Sequence, residues 1–189
     1  MPRYDAKRFE ELVLYIASRT TDDLEFGRTK LAKALFYSDV ESFRQLGVPI
    51  TGARYVNWKH GPFPKRLRAA TRLLQSAGRI EQIPPSEKYE PERLVPTVAG
   101  KPDLPGVGIT PEQIEIVDAW IERIRHEPAR AISDLSHQHP GYAMVGRDEE
   151  IPYESAFLAE RPPTNNEVQE ARRIAKERGW LVGDKWQRT

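Results

Sequence analysis

Ser136 and His137 stand side by side, and His60, His126 and His139 complete the histidines of the chain. Hydrolytic chemistry needs a nucleophile and a base that face one another, with a third group orienting the base. Adjacent residues seldom aim at each other, and the sequence marks no third group beside them. A metal site requires the fold to gather His60 and a carboxylate such as Asp39 with His137 or His139, which, two residues apart, point to different sides of a helix. His126-Glu127-Pro128 lacks the second histidine of a zinc-protease helix. There is no phosphate-cradling Gly-rich loop ending in Lys-Ser/Thr, and no Gly-x-Ser-x-Gly elbow. Gly106-Val107-Gly108 precedes a helix without a third glycine or a preceding parallel strand, so it reads as a loop. Cysteine is absent, which removes thiol nucleophiles, disulfides and thiolate metal sites. The expectation is a protein that is not an enzyme and carries neither cofactor nor metal.

Charge is the more informative signal. Ser42 to Ile80 contains no Asp or Glu but eight cations: Arg44, Arg54, Lys59, Lys65, Arg66, Arg68, Arg72 and Arg79. The rest of the chain holds 21 cations against 28 acids, so a net charge of +1 conceals a +8 segment and a −7 remainder. Either the basic segment packs against the acidic remainder, or it forms an electrostatic footprint for an anionic partner. Tyr55, Trp58, His60 and Phe63 lie inside this segment, and aromatics among cations suit an interface hot spot or nucleic acid. Tyr55 and Trp58 can equally pin an extended piece to the core, and at least one of them is expected there. Lys65, Arg68, Arg72, Gln75 and Arg79 fall on one helical stripe that could face phosphates, the nucleic-acid alternative.

The elements that must carry these residues follow from periodicity. Residues 6–19 predict an amphipathic helix capped by Asp5, with Phe9, Leu12, Val13 and Ile16 inward. A second helix, 29–46, with Thr29 as its cap and Gly47 as its stop, is apolar on two sides and so belongs between neighbours. Residues 50–58 read as extended, and Gly61-Pro62-Phe63-Pro64 as a turn. A helix over 65–77, stopped by Gly78, leads into a hairpin from 79–83 and 93–98, the order found in winged-helix DNA-binding proteins. Thr110-Pro111 with Gln113 opens a fourth helix ending before Pro128, followed by a short helix at 129–137 and a short element at 151–159. Glu160-Arg161-Pro162-Pro163 reads as a linker to a helix over 164–178, with Trp180 and Trp186 in the tail. The predicted class is mainly α with a small antiparallel β-sheet, an α+β helical domain over 1–160 bearing a hairpin, and an accessory segment over 161–189. With no long apolar run and no apolar signal core, a soluble cytoplasmic protein without membrane contact is expected.

Lys30-Leu31-Ala32-Lys33-Ala34-Leu35-Phe36-Tyr37-Ser38-Asp39, followed by Pro49-Ile50-Thr51-Gly52-Ala53-Arg54-Tyr55-Val56-Asn57-Trp58-Lys59-His60-Gly61-Pro62-Phe63-Pro64, resembles the Panacea domain, the SocA-like antitoxin domain also seen in prokaryotic phage-associated proteins. Leu135-Ser136-His137 and the segment Ile151–Leu158 match its downstream parts, so the likeness spans about residues 6–159. Ala34 and Gly141-Tyr142 depart from it, where a larger apolar residue and a tryptophan are usual. The resemblance implies a mainly helical domain with a small sheet. It also implies an antitoxin that neutralises a protein toxin encoded nearby, by direct contact or by handing it to a protease. Since members pair with unrelated toxins, the toxin's identity does not carry over. Tyr55, Trp58, Lys59, His60 and Phe63 are the candidate partner-binding residues, together with Trp180 and Trp186 of the tail, which can also fold back on the core. A DNA-binding regulator, of its own operon for instance, is the alternative.

Overall fold

The computed structural model describes residues 2–85 and 91–158, and beyond them Gln169 and Arg173, both helical. Helix α1 (Ala6–Arg19) is capped by Asp5, whose side chain accepts from the Arg8 N–H. Helix α2 (Arg28–Leu46) follows. A first hairpin pairs β1 (Tyr55–Trp58) with β2 (Gly61–Pro64). Helix α3 (Leu67–Ser76) leads into a second antiparallel hairpin of β3 (Ile80–Ile83) and β4 (Arg93–Pro96). Helices α4 (Pro111–Arg125), α5 (Ala129–His137) and α6 (Pro140–Ala143) come next, and a 3-10 turn closes the domain at Tyr153–Phe157. The fold is mainly α with small antiparallel β elements, as the sequence predicts.

Helix α2 is the centre. It packs against α1, α4, α5, β2 and the Tyr153–Phe157 turn, so it is buried on almost every side from Lys30 to Ser42. Leu31, Leu35 and Phe36 meet Phe9, Leu12 and Ile16 of α1, Val117, Ile121 and Ile124 of α4, and Leu67 and Leu74 of α3 in one core. Its start differs from expectation. The cap is Gly27, with no side-chain hydrogen bond, and Thr29 lies inside the helix. A Cβ on residue 27 would come within 2.3 Å of the Pro91 side chain, so packing rather than capping chemistry sets this end.

The stretch Gly61-Pro62-Phe63-Pro64 is a strand, not a turn. Tyr55 pairs with Pro64 and Trp58 with Gly61, and the reversal falls on Lys59 and His60. Proline's fixed φ suits an extended edge strand, where a missing N–H costs no ladder bond. On its other edge β1 receives the segment 148–151: the Asn57 N–H donates to the Glu149 carbonyl at 2.9 Å, and the Ile151 N–H to the Tyr55 carbonyl at 2.8 Å. Helix α3 ends as expected around Gly78. The Arg79 N–H donates to the Leu74 carbonyl and the Gly78 N–H to that of Gln75, with Gly78 at φ +66. Helix α4 carries the full capping box of Thr110 and Gln113.

By its internal contacts the chain divides into two units, Met1–Leu158 and Ala159–Thr189. Apart from Gln169 and Arg173, the expected helix at 164–178 lies outside the described residues, as do Trp180 and Trp186. No helix of the described residues is long and apolar enough to cross a membrane.

Candidate functional site

The sequence motif Trp58-Lys59-His60-Gly61-Pro62 occupies the tip of the first hairpin, and two buried lysines of α2 explain how it is held. Lys30 and Lys33 are each 1% exposed. Lys30 Nζ donates to Asp23 Oδ2 at 3.1 Å and to the Arg125 carbonyl at 3.0 Å, tying α2 to the preceding loop and to the end of α4. Lys33 Nζ donates to the Pro62 carbonyl at 2.9 Å, fastening β2 to α2. Gly61 sits over this contact at φ +89. A Cβ there would lie 2.1 Å from Ser136 Oγ and 2.9 Å from Lys33 Nζ, so only glycine lets the hairpin come this close. Neither lysine features among the candidate residues from sequence. The readable signal is position: Lys30 just before Leu31 and Lys33 between Ala32 and Ala34, on a helix apolar on two sides, have little water-facing side to occupy.

Tyr55 is a core residue, 1% exposed, and so is withdrawn from the expected contact surface. Its hydroxyl lies 2.7 Å from Asp39 Oδ2 and 2.9 Å from the Leu35 carbonyl. Asp39 is fully buried and is the acceptor for the Thr51 N–H at 2.7 Å, the Thr51 hydroxyl at 2.5 Å and the Tyr153 hydroxyl at 3.2 Å. Burial pushes the Asp39 carboxyl above its ordinary range, against the pull of the Thr51, Tyr55 and Tyr153 donors. The same burial, with Asp39 beside it, raises the Tyr55 phenol. This knot joins α2, β1 and the closing 3-10 turn; it does not join Asp39 to His60. Among the described residues no group of His, Asp and Glu could hold a metal ion.

Trp58 and Phe63 remain at the surface, half-buried, with ring centroids 4.4 Å apart. They lie diagonally on one face of the hairpin, since Val56 stands opposite Phe63. The Arg68 guanidinium covers the Trp58 ring at 5.0 Å, and Lys59 and His60 are exposed at the turn. The eight cations divide. Arg44 pairs with Glu41, Arg54 with Glu150, and Arg79 with Glu11. Lys59, Lys65, Arg66, Arg68 and Arg72 are exposed and make no ion pair among the described residues. Three of the eight cations are therefore satisfied inside the chain, while five are exposed, with Arg68 on the Trp58 ring, Lys59 at the turn, and Lys65, Arg66 and Arg72 just before and along α3.

The predicted phosphate-facing stripe is shorter than expected. Arg79 Nη1 donates to Glu11 Oε1 at 2.5 Å, and the Asp103 N–H donates to Glu11 Oε2 at 2.8 Å. Burial raises the Glu11 carboxyl, but these donors outweigh it and leave its pKa lowered, so the pair is firm. Gln75 donates to Gln82 of the following hairpin, and Arg68 lies on Trp58. The helix begins at Leu67, not at the expected 65, so Lys65 lies in the turn before it and Arg72 is the one exposed cation of the stripe left on the helix without a partner among the described residues. The Ser136–His137 pair is also apart: Ser136 Oγ donates to the Ser133 carbonyl, while the His137 ring stacks on Tyr142 with centroids 4.8 Å apart.

A search of the curated proteins finds no match to this chain. The family model described as antitoxin SocA-like, Panacea domain, matches residues 31–142, from the first turn of α2 to α6. That span is more than half of the chain and holds the buried lysine Lys33, the first hairpin, and α3 with its cations. The chain belongs to the antitoxin SocA-like, Panacea-domain family, and with it takes the general role of an antitoxin.

Proposed function

We propose that the chain is an antitoxin that neutralises a protein toxin by direct contact, without catalysis, through the tip of the first hairpin and the adjoining start of α3. Trp58 and Phe63 form the apolar centre, with Arg68 on the Trp58 ring, Lys59 and His60 exposed at the adjoining turn, and Lys65, Arg66 and Arg72 exposed on the segment that follows. The observation that carries this reading is the combination of a half-buried aromatic pair with five cations that no acid of the described residues neutralises. Interfaces concentrate their affinity in aromatic and arginine anchors of this kind. The toxin's matching face is then acidic. DNA binding is favoured less, because Arg79 is paired with Glu11 and Gln75 with Gln82.

Co-expression with the protein encoded by the neighbouring reading frame tests the reading. Co-purification and rescue of growth are expected, both weakened by Trp58→Ala, with a loss of affinity of about 30-fold. Rescue at unchanged toxin level identifies capture; a fall in toxin level identifies delivery to a protease. No co-purification and no rescue, or rescue that Trp58→Ala and Arg68→Glu leave intact, overturns it.

A further inference from the structure

Lys30 and Lys33 lie one turn apart on α2 and are equally buried, yet only Lys30 has a carboxylate partner. Lys33 has three donors and one neutral acceptor, the Pro62 carbonyl, and no Asp or Glu of the described residues lies within ion-pair distance. A buried ammonium without a counter-ion is costly. Lys33 lines a cavity of about 50 Å³ between α2 and the first hairpin, with Arg28 and Thr29 on the helix side and Trp58, His60 and Phe63 on the other. No acid lines it. One water needs roughly 10–15 Å³ of such space, so the cavity admits a carboxylate group but not a nucleotide.

We propose that this cavity is a carboxylate-binding site, in which Lys33, Arg28 and His60 receive an acidic side chain that the protein partner inserts between α2 and the hairpin. Arg28 is exposed, lines this cavity and pairs with no acid among the described residues. Trp58 and Phe63 supply an apolar wall that strengthens a charge-assisted bond by excluding water. Burial pushes the Lys33 amine down to about 7. The titratable and charged groups around it are Arg28 on α2, His60 on the hairpin, and His137 and Asp134 on α5; burial first, then Lys33 and His60, hold the His137 ring below its ordinary value against Asp134. A carboxylate entering at neutral pH therefore draws a proton onto Lys33, and its affinity increases as pH falls from about 8 to about 6.

The source of the carboxylate rests on the reading of the chain as a toxin-binding protein; the affinity of the cavity does not. The test uses the full chain alone, titrated with acetate, with inorganic phosphate in a second arm, while the His60 ring and the Lys33 side-chain amine are followed by NMR. Saturable acetate binding on the order of 1–10 mM is expected. Lys33→Met abolishes it, and Arg28→Gln, an exposed position that does not threaten folding, weakens it about tenfold. Should Lys33→Met fail to fold, Arg28→Gln alone decides. A response that never saturates, or binding that Arg28→Gln leaves unchanged, overturns the proposal. Phosphate binding tighter than acetate overturns the partner carboxylate in favour of a free oxyanion. Acetate binding together with failed toxin co-purification leaves the site intact and sinks only the reading of its partner.

Discussion

Gly61 shows how much a single position can carry. Its φ of +89 and the 2.1 Å approach of a built Cβ to Ser136 Oγ leave no room for a side chain. Gly61→Ala is expected to destabilise by at least about 2 kcal/mol, read as a lowered urea midpoint at unchanged slope. Asp39→Ala removes the acceptor for Thr51, Tyr55 and Tyr153 at once and is expected to cost about 3 kcal/mol by the same measurement. Lys33 makes a prediction in pH. Its folded-state pKa, about 7, lies below the ordinary 10.5, so between these values the unfolded chain binds more protons than the native one. Its contribution to stability therefore rises from about pH 7 to about pH 10.5, and Lys33→Met should flatten the difference in urea midpoint between pH 6.5 and 9.5. Sequence could reach some of this. The Gly-Pro pair and the lysines on a helix apolar on two sides are visible as types, but the contact joining Lys33 to Pro62 crosses 29 positions and belongs to packing.

Local signals located the elements, and tertiary ones defeated them. Asp5, Gly78 and the Thr110–Gln113 box act within one helical turn, and the structure uses each as the sequence predicts. Thr110→Ala is expected to cost about 1 kcal/mol and to lower Tm by about 2–4 °C, checked by calorimetry. The start of α2 was misplaced because Pro91, more than sixty residues on, fixes Gly27 by contact. Gly61–Pro64 was misread because prolines suit turns and edge strands alike, and pairing with Tyr55–Trp58 decides between them. The four-residue helix at Pro140–Ala143 is too short for any periodicity to show. For the contact surface the same limit held: the strand's alternation separates Tyr55 from Trp58, but which face meets water depends on α2.

At the scale of the molecule, three cations of the +8 segment are satisfied by internal ion pairs, and the other five are exposed. Association with an acidic partner should therefore slow as salt rises from about 50 to about 300 mM, while dissociation changes little, a split that surface plasmon resonance resolves. Among the described residues the core cluster falls within 2–158, so a chain ending at Leu158 is expected to unfold in one cooperative transition in urea. The segment 148–151 completes β1, and Tyr153 completes the Asp39 knot. Both come from the far end of the domain, so a growing polypeptide cannot lock its hairpin until nearly all of these residues have left the ribosome. At about 5–20 residues per second, that leaves an interval of several seconds in each round of synthesis when the hairpin still lacks its last pairing segment. Under the proposed toxin capture by the hairpin tip, protection during that interval comes from molecules made earlier.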